Sequence, residues 1–197
     1  MNELSKLEVA LIGVFAGFFL TWVKDYLNRR RERKEELAFL SIQVNNLIEK
    51  FIAGSLEVVF DDGTFQGQRD EHGYRTPQVN PPEFVPLSID VNWKTLPKKL
   101  MYRIFDFPTE INEANLLLRS IGEYRYDPPD FDEYFDVRIE QYAKLGLAAI
   151  DIAAQIRKLG KLPARPLAED SKSPTELFEN ALLKTRKRIE IRESTYR

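Results

Sequence analysis

Five carboxylates crowd ten consecutive positions: Asp127, Asp130, Asp132, Glu133 and Asp136. Hard oxygen ligands at that density suit magnesium or calcium, and a bound cation could activate water for hydrolysis. A structural assignment competes and is favoured, because acidic side chains in the first turn of a helix meet its dipole and unsatisfied amides. The interleaved Tyr124, Tyr126, Phe131, Tyr134 and Phe135 then read as core and rim aromatics. So much negative charge nearby argues against a base-stacking platform.

Other chemistry is sparse. His72, in a polar loop, is the single histidine, so imidazole catalysis or metal ligation would rest on one residue and an ordinary exposed histidine is expected. The chain has no cysteine, which excludes disulfides, a thiolate nucleophile and cysteine-ligated zinc or iron–sulfur centres. The glycines are scattered, with no phosphate-cradling loop, nucleophile elbow, His-Glu-x-x-His pair or calcium loop. No catalytic residue, cofactor, metal or small-molecule substrate is therefore expected.

The charge layout is uneven. Asp61 to Asp136 holds 8 basic and 15 acidic residues, whereas Val137 to Arg197 holds 13 and 8. Pairing within one fold explains this more simply than a dipole directed at a partner. Lys184, Arg186, Lys187, Arg188 and Arg192 would attract nucleic acid, but Glu190 and Glu193 interrupt them. No nucleic-acid partner is expected.

The elements that must position these groups begin with an uncharged run, Val9 to Val23. At about 1.5 Å per residue it covers about 22 Å of a hydrocarbon layer about 30 Å thick. Extension to residues 7–27 gives the required length if Lys24 snorkels, and it leaves Trp22 and Tyr26 at the interface. A cleavable export signal needs a basic start and a small-residue cleavage site, and a buried core helix keeps a polar face. Neither requirement is met, so a membrane anchor is expected.

Lys24, Arg29, Arg30, Arg31, Arg33 and Lys34 follow the run, with only Lys6 before it. The bias predicts a single-pass protein of the cell inner membrane, N-terminus outside and C-terminal domain in the cytoplasm. The arginines serve as topology determinants and lipid contacts, diluted by Glu32, Glu35 and Glu36. Gly13 and Gly17 make a Gly-x-x-x-Gly pair that would let two spans pack closely.

Leu37, Leu40, Val44, Leu47 and Phe51 keep 3-4 spacing, predicting that the anchor continues as one stiff rod until Gly54 ends it. "LEVVFDDGTFQ" reads as a short β-hairpin turning at Asp62-Gly63, inside an irregular loop over residues 55–90. The apolar spacing from Trp93 to Ile121 is interrupted by Pro108, predicting two helices or one kinked helix, with Asp106 as a cap. Asp127 or Asp130 should cap the next helix and Gly160 end it, with Gly146, Ala148, Ala149, Ala153 and Ala154 allowing close packing. Ser173-Pro174-Thr175-Glu176 is a capping box opening a last helix.

The expected fold is thus mainly α: a transmembrane helix running into a cytoplasmic bundle of four to five helices. Its parts are a tail (1–6), a span (7–27), a basic collar (28–36), a helical domain (37–160), a linker (161–173) and a C-terminal helix (174–197). The layout resembles a broad type of small bacterial protein with one span, an arginine-rich collar and a helical cytosolic domain. That resemblance rests on Leu7 to Lys34 and on the helix end from Arg157 to Pro163, names no family and transfers no site residue. The expected role is a protein-interaction or self-assembly module with membrane lipid and a protein partner or further copies of itself as ligands. Alternatives are a membrane-perturbing effector or exclusion factor of a mobile element or defence system, and a metal-dependent hydrolase using the Asp127 to Asp136 carboxylates.

Overall fold

The computed structural model describes residues 3–124, 128–163 and 172–195, with side chains from residue 17 to 194 within those bounds. Among the described residues there are four helices and no strand: α1 (Glu3–Phe60), α2 (Lys98–Tyr124), α3 (Asp132–Gly160) and α4 (Pro174–Thr195). Two single 3-10 turns, Pro86–Ser88 and Trp93–Thr95, punctuate the connection between α1 and α2. The architecture is a helical bundle from which one end of α1 projects.

At 58 residues, α1 is a rod about 87 Å long at the usual rise. It divides by environment. From Gly17 to Glu36 every side chain but Val23 is exposed, while Leu40, Val44, Ile48 and Phe51 are fully buried. Among the described residues no helix is long and apolar enough to cross a membrane. Of the expected span, residues 7–16, Gly13 among them, lie outside the described side chains.

Gly54 does not end this helix, which continues to Phe60. Its missing side chain serves packing instead, since a Cβ there would stand 2.7 Å from the Pro82 Cβ. The expected hairpin is overturned for the same stretch. Ser55, Val58 and Val59 continue the buried 3-4 spacing of Phe51 and Ile52, so burial on a helical face overrides their β preference. What remains is one isolated bridge, Phe65 to Gln68, turning through Gln66 and Gly67 at positive φ. The irregular segment accordingly runs over residues 61–97.

Helix α2 passes through Pro108 unbroken. Leu100, Ile104, Phe107, Ile111, Ala114 and Leu118 make one buried stripe on both sides of the proline, and that burial offsets a cost of about 3 kcal/mol. Asp106 therefore lies inside the helix and caps nothing. The start of α3 is also uncapped by a carboxylate, because Phe131, in a left-handed conformation, occupies the cap position without a side-chain hydrogen bond. Gly160 is the last residue of α3, yet the left-handed position belongs to Lys161. Gly160 is needed for the crossing with α1, where a Cβ would fall 2.3 Å from that of Ser41. The capping box of α4 forms as the sequence indicates, with Ser173 N donating to Glu176 Oε2 at 3.0 Å and Glu176 N to Ser173 Oγ at 3.2 Å.

Helix α3 is central and packs against each of the other three. Gly146 is the notch for α4: Phe178, fully buried, places its ring where a Gly146 Cβ would come within 2.2 Å. Phe84 wedges between α1 and α2, its ring centroid 6.0 Å from Phe51 and 5.3 Å from Phe107, both edge-on. Arg138 of α3, only 1% exposed, donates to Asp61 Oδ2 at 2.8 Å and to the Val79 carbonyl at 2.5 Å. Asp61 also accepts from the amides of Gly63, Gln78 and Val79 at 2.9–3.0 Å. Burial pushes the Asp61 carboxyl up, but those amides and the Arg138 charge outweigh it and hold the group below its usual range.

Removing one partner strands a buried charge, so Asp61→Ala and Arg138→Met are each expected to cost about 3–5 kcal/mol in urea denaturation. Asp61→Ala combined with Arg138→Met should cost less than the sum of the two single losses, although the amides of Gly63, Gln78 and Val79 still lose their acceptor, and losses that simply add would show the two side chains to be independent. The folded-state pKa of Asp61 lies below its unfolded value of about 3.9, so its contribution is present above pH about 4 and fades as pH falls further. In Asp61→Ala the acid limb of the stability profile should flatten accordingly.

The notch makes a second prediction. Gly146→Ala should destabilise by about 1–3 kcal/mol through overpacking, and Phe178→Leu in the same chain should relieve it. A calorimetric Tm unmoved by Gly146→Ala would mean that α4 does not seat there.

Candidate functional site

The acidic group at the start of α3 does not converge. Asp127 lies outside the described residues. Asp130 pairs with Arg69, and Asp132 with Arg75 Nη1 at 2.9 Å, both arginines coming from the irregular segment. Arg75 also donates from Nε to the Asp62 carbonyl at 2.7 Å and covers the Phe135 ring, 4.3 Å from its centroid. Asp136, nearly buried, takes Arg188 and Arg192 of α4 at 2.9 Å each. Its burial pushes the carboxyl above the usual range, with the two arginines pulling the other way. Among the described residues no group of three or more His, Asp or Glu side chains is arranged to hold a metal.

These pairs explain the lopsided charge of the chain. The acidic start of α3 receives arginines from the irregular segment on one side and from the basic α4 on the other. Arg188 and Arg192, two of the basic residues of α4, are both paired with Asp136. His72 is exposed beside Glu71, 3.5 Å away.

The collar makes a different arrangement. Tyr26, Arg29, Arg30, Arg33, Lys34 and Leu37 recur at 3-4 spacing and share one face of α1. That face and the 3-10 turn at Trp93–Thr95 enclose an open groove of about 960 Å³. The turn is held there at two points. Asn92 Nδ2 donates to Glu36 Oε2 at 3.1 Å, and the Trp93 ring packs 4.9 Å from that of Phe105 on α2.

No family model, curated protein or solved structure matches the chain.

Arg29, Arg30, Arg33 and Lys34 line the groove and Lys94 joins them from the turn, against the carboxylates of Glu32 and Glu36. None of the five cations has an ion-pair partner among the described residues. Arg31, grouped with them in the sequence, faces elsewhere and pairs with Glu35 at 3.0 Å. Gly17 leaves open space, with nothing within 4 Å of a Cβ placed on it.

Sequence reasoning missed Asp61, Arg138 and Lys94. Arg138 carried a signal, lying three residues after Phe135 and four before Tyr142 on the buried stripe of α3, where an arginine must find a partner. Asp61 was hidden by the hairpin reading of Asp62-Gly63. Lys94 had no local signal, because the fold alone brings it to the collar.

With Asp130, Asp132 and Asp136 committed to arginines, the start of α3 should ignore divalent cations. Titrating magnesium or calcium to millimolar concentration is expected to leave the Tm unchanged, whereas a saturable rise would show carboxylates exchanging arginine for metal.

Proposed function

We propose that the protein is a single-pass membrane-anchored helical module that presents its bundle to protein partners, further copies of itself included, at the cytoplasmic face of the membrane. The observation that carries this reading is the projecting end of α1, where Phe18, Phe19, Leu20 and Trp22 are each more than 60% exposed. Three consecutive large apolar side chains, about 100° apart, spread over more than half the circumference of a helix, so one packing partner on one side leaves much of that surface in water. Lipid covers every side at once. The apolar run of the sequence extends this stretch back to Val9, and the collar follows it on the side that the Lys and Arg bias assigns to the cytoplasm.

The second half of the reading rests on continuity. Since α1 has no break between Gly17 and the buried Leu40, the bundle is held at a set height and rotation relative to the anchor. A rigid mount of that kind favours presentation of a surface over free diffusion of a tethered domain. Gly17 offers a flat backbone site at which a second span can approach.

Fractionation tests the anchor: the full chain should stay in the membrane pellet through alkaline carbonate, with its bundle resistant to protease added outside intact cells. Crosslinking in those membranes should give a discrete dimer or hetero-complex, weakened several-fold by Gly17→Leu if copies pair through the span. A chain recovered in the detergent-free supernatant, or one crosslinked only as monomer at native expression, contradicts the proposal.

A further inference from the structure

We infer that the groove between the collar and the Trp93–Thr95 turn is a binding site for the phosphate of an anionic phospholipid headgroup. This rests on the membrane reading for its geometry and goes beyond it in assigning a discrete site. A polybasic collar alone attracts any anionic surface diffusely. Here four cations lie on one helical face, and a fifth, Lys94, arrives from a segment more than fifty residues away and closes the concavity.

The chemistry fits a phosphodiester. Guanidinium forks match phosphate oxygens in bidentate pairs, and an ammonium adds a compact charge. The five cations are not consumed by partners within the fold among the described residues. Of the two carboxylates lining the groove, Glu36 is engaged by Asn92, which holds the turn and with it Lys94 in place. Tyr26 and Leu37 supply the apolar margin of the groove at its two ends along α1.

Depth agrees with the assignment. With the span ending at residue 27, Arg29 and Arg30 follow about 3–5 Å along the rod and Arg33 and Lys34 about 9–11 Å. The headgroup layer is about 5–8 Å thick on each side of the bilayer. The groove thus begins within that layer and ends just beyond it, so a headgroup phosphate can enter while Lys94 closes over it from the side of the bundle.

The test uses full-length protein purified in detergent and examined by native mass spectrometry with phosphatidylglycerol, phosphatidylcholine or inorganic phosphate. One phosphatidylglycerol should be retained per chain in preference to phosphatidylcholine. Lys94→Glu should lower that retention about tenfold or more, with an unchanged circular dichroism spectrum. Arg31→Glu makes the same charge change on the opposite face and should have far less effect.

Equal losses from Lys94→Glu and Arg31→Glu would reduce the collar to a diffuse charge and overturn the site. So would equal retention of the two lipids. Inorganic phosphate held in place of lipid would overturn the lipid assignment and leave a soluble phosphate site. The anchor and the groove fail separately: carbonate extraction reports the first, and lipid preference in detergent reports the second.

Discussion

The Asp61 carboxylate ends α1, accepts three amides from the segment that follows and meets the Arg138 guanidinium from the middle of the bundle. Both side chains are almost wholly removed from water. A buried ion pair seldom adds net stability over an apolar replacement, because desolvation costs about as much as the attraction returns. Its consequence here is geometric. With four hydrogen bonds converging on one carboxylate, the path of residues 61–79 relative to α3 has little freedom, and a misfolded alternative that separates the partners leaves a bare charge in the core.

Much of the remaining architecture follows from that fixed path. Gly63 lies against Phe135, where a side chain would collide with the ring. Arg69 and Arg75 are delivered to Asp130 and Asp132. Further along, Pro82 meets the bare backbone at Gly54, and Phe84 enters the space between Phe51 and Phe107. A segment of irregular backbone thus acts as a third packing surface between α1 and α2, which explains how a long connection without strands or long helices can lie close against the bundle. The acidic start of α3 is best understood as the receiving surface for this segment and for α4.

The helices were legible because their apolar residues recur at 3-4 spacing. The stripe from Leu40 to Phe51, that from Leu100 to Leu118 and that from Tyr142 to Ile156 are all buried, and the Ser173 capping box marks the start of α4. The errors share a cause. Gly54 and the Asp62-Gly63 pair read locally as an end and a hairpin turn, and Pro108 as either a break or a kink within one helix. At Gly54 tertiary packing decides otherwise, since Gly54 makes room for Pro82, and at Pro108 a continuous buried stripe selects the single helix over the break. At Asp62-Gly63 the chain does turn, but out of a helix, since Val58 and Val59 extend the buried face of Phe51. The acidic group reads locally as a partner of the helix dipole and first-turn amides; in the structure Asp130, Asp132 and Asp136 meet arginines up to 61 residues away, which no local pattern names.

Helix continuity also limits how the collar can be arranged. A helix turns about 100° per residue, so four cations fall on one face only at the 3-4 spacing of positions 29, 30, 33 and 34. Arg31, one residue on, is carried around to a side where Glu35 neutralises it. Net charge in the collar is therefore less informative than its phase. Because the same uninterrupted helix enters the bundle at Leu37, that phase is coupled to the packing of Leu40 and Val44, and through Glu36 and Asn92 to the Trp93–Thr95 turn. The orientation of the basic face is thus set by the hydrophobic core, not by the collar itself.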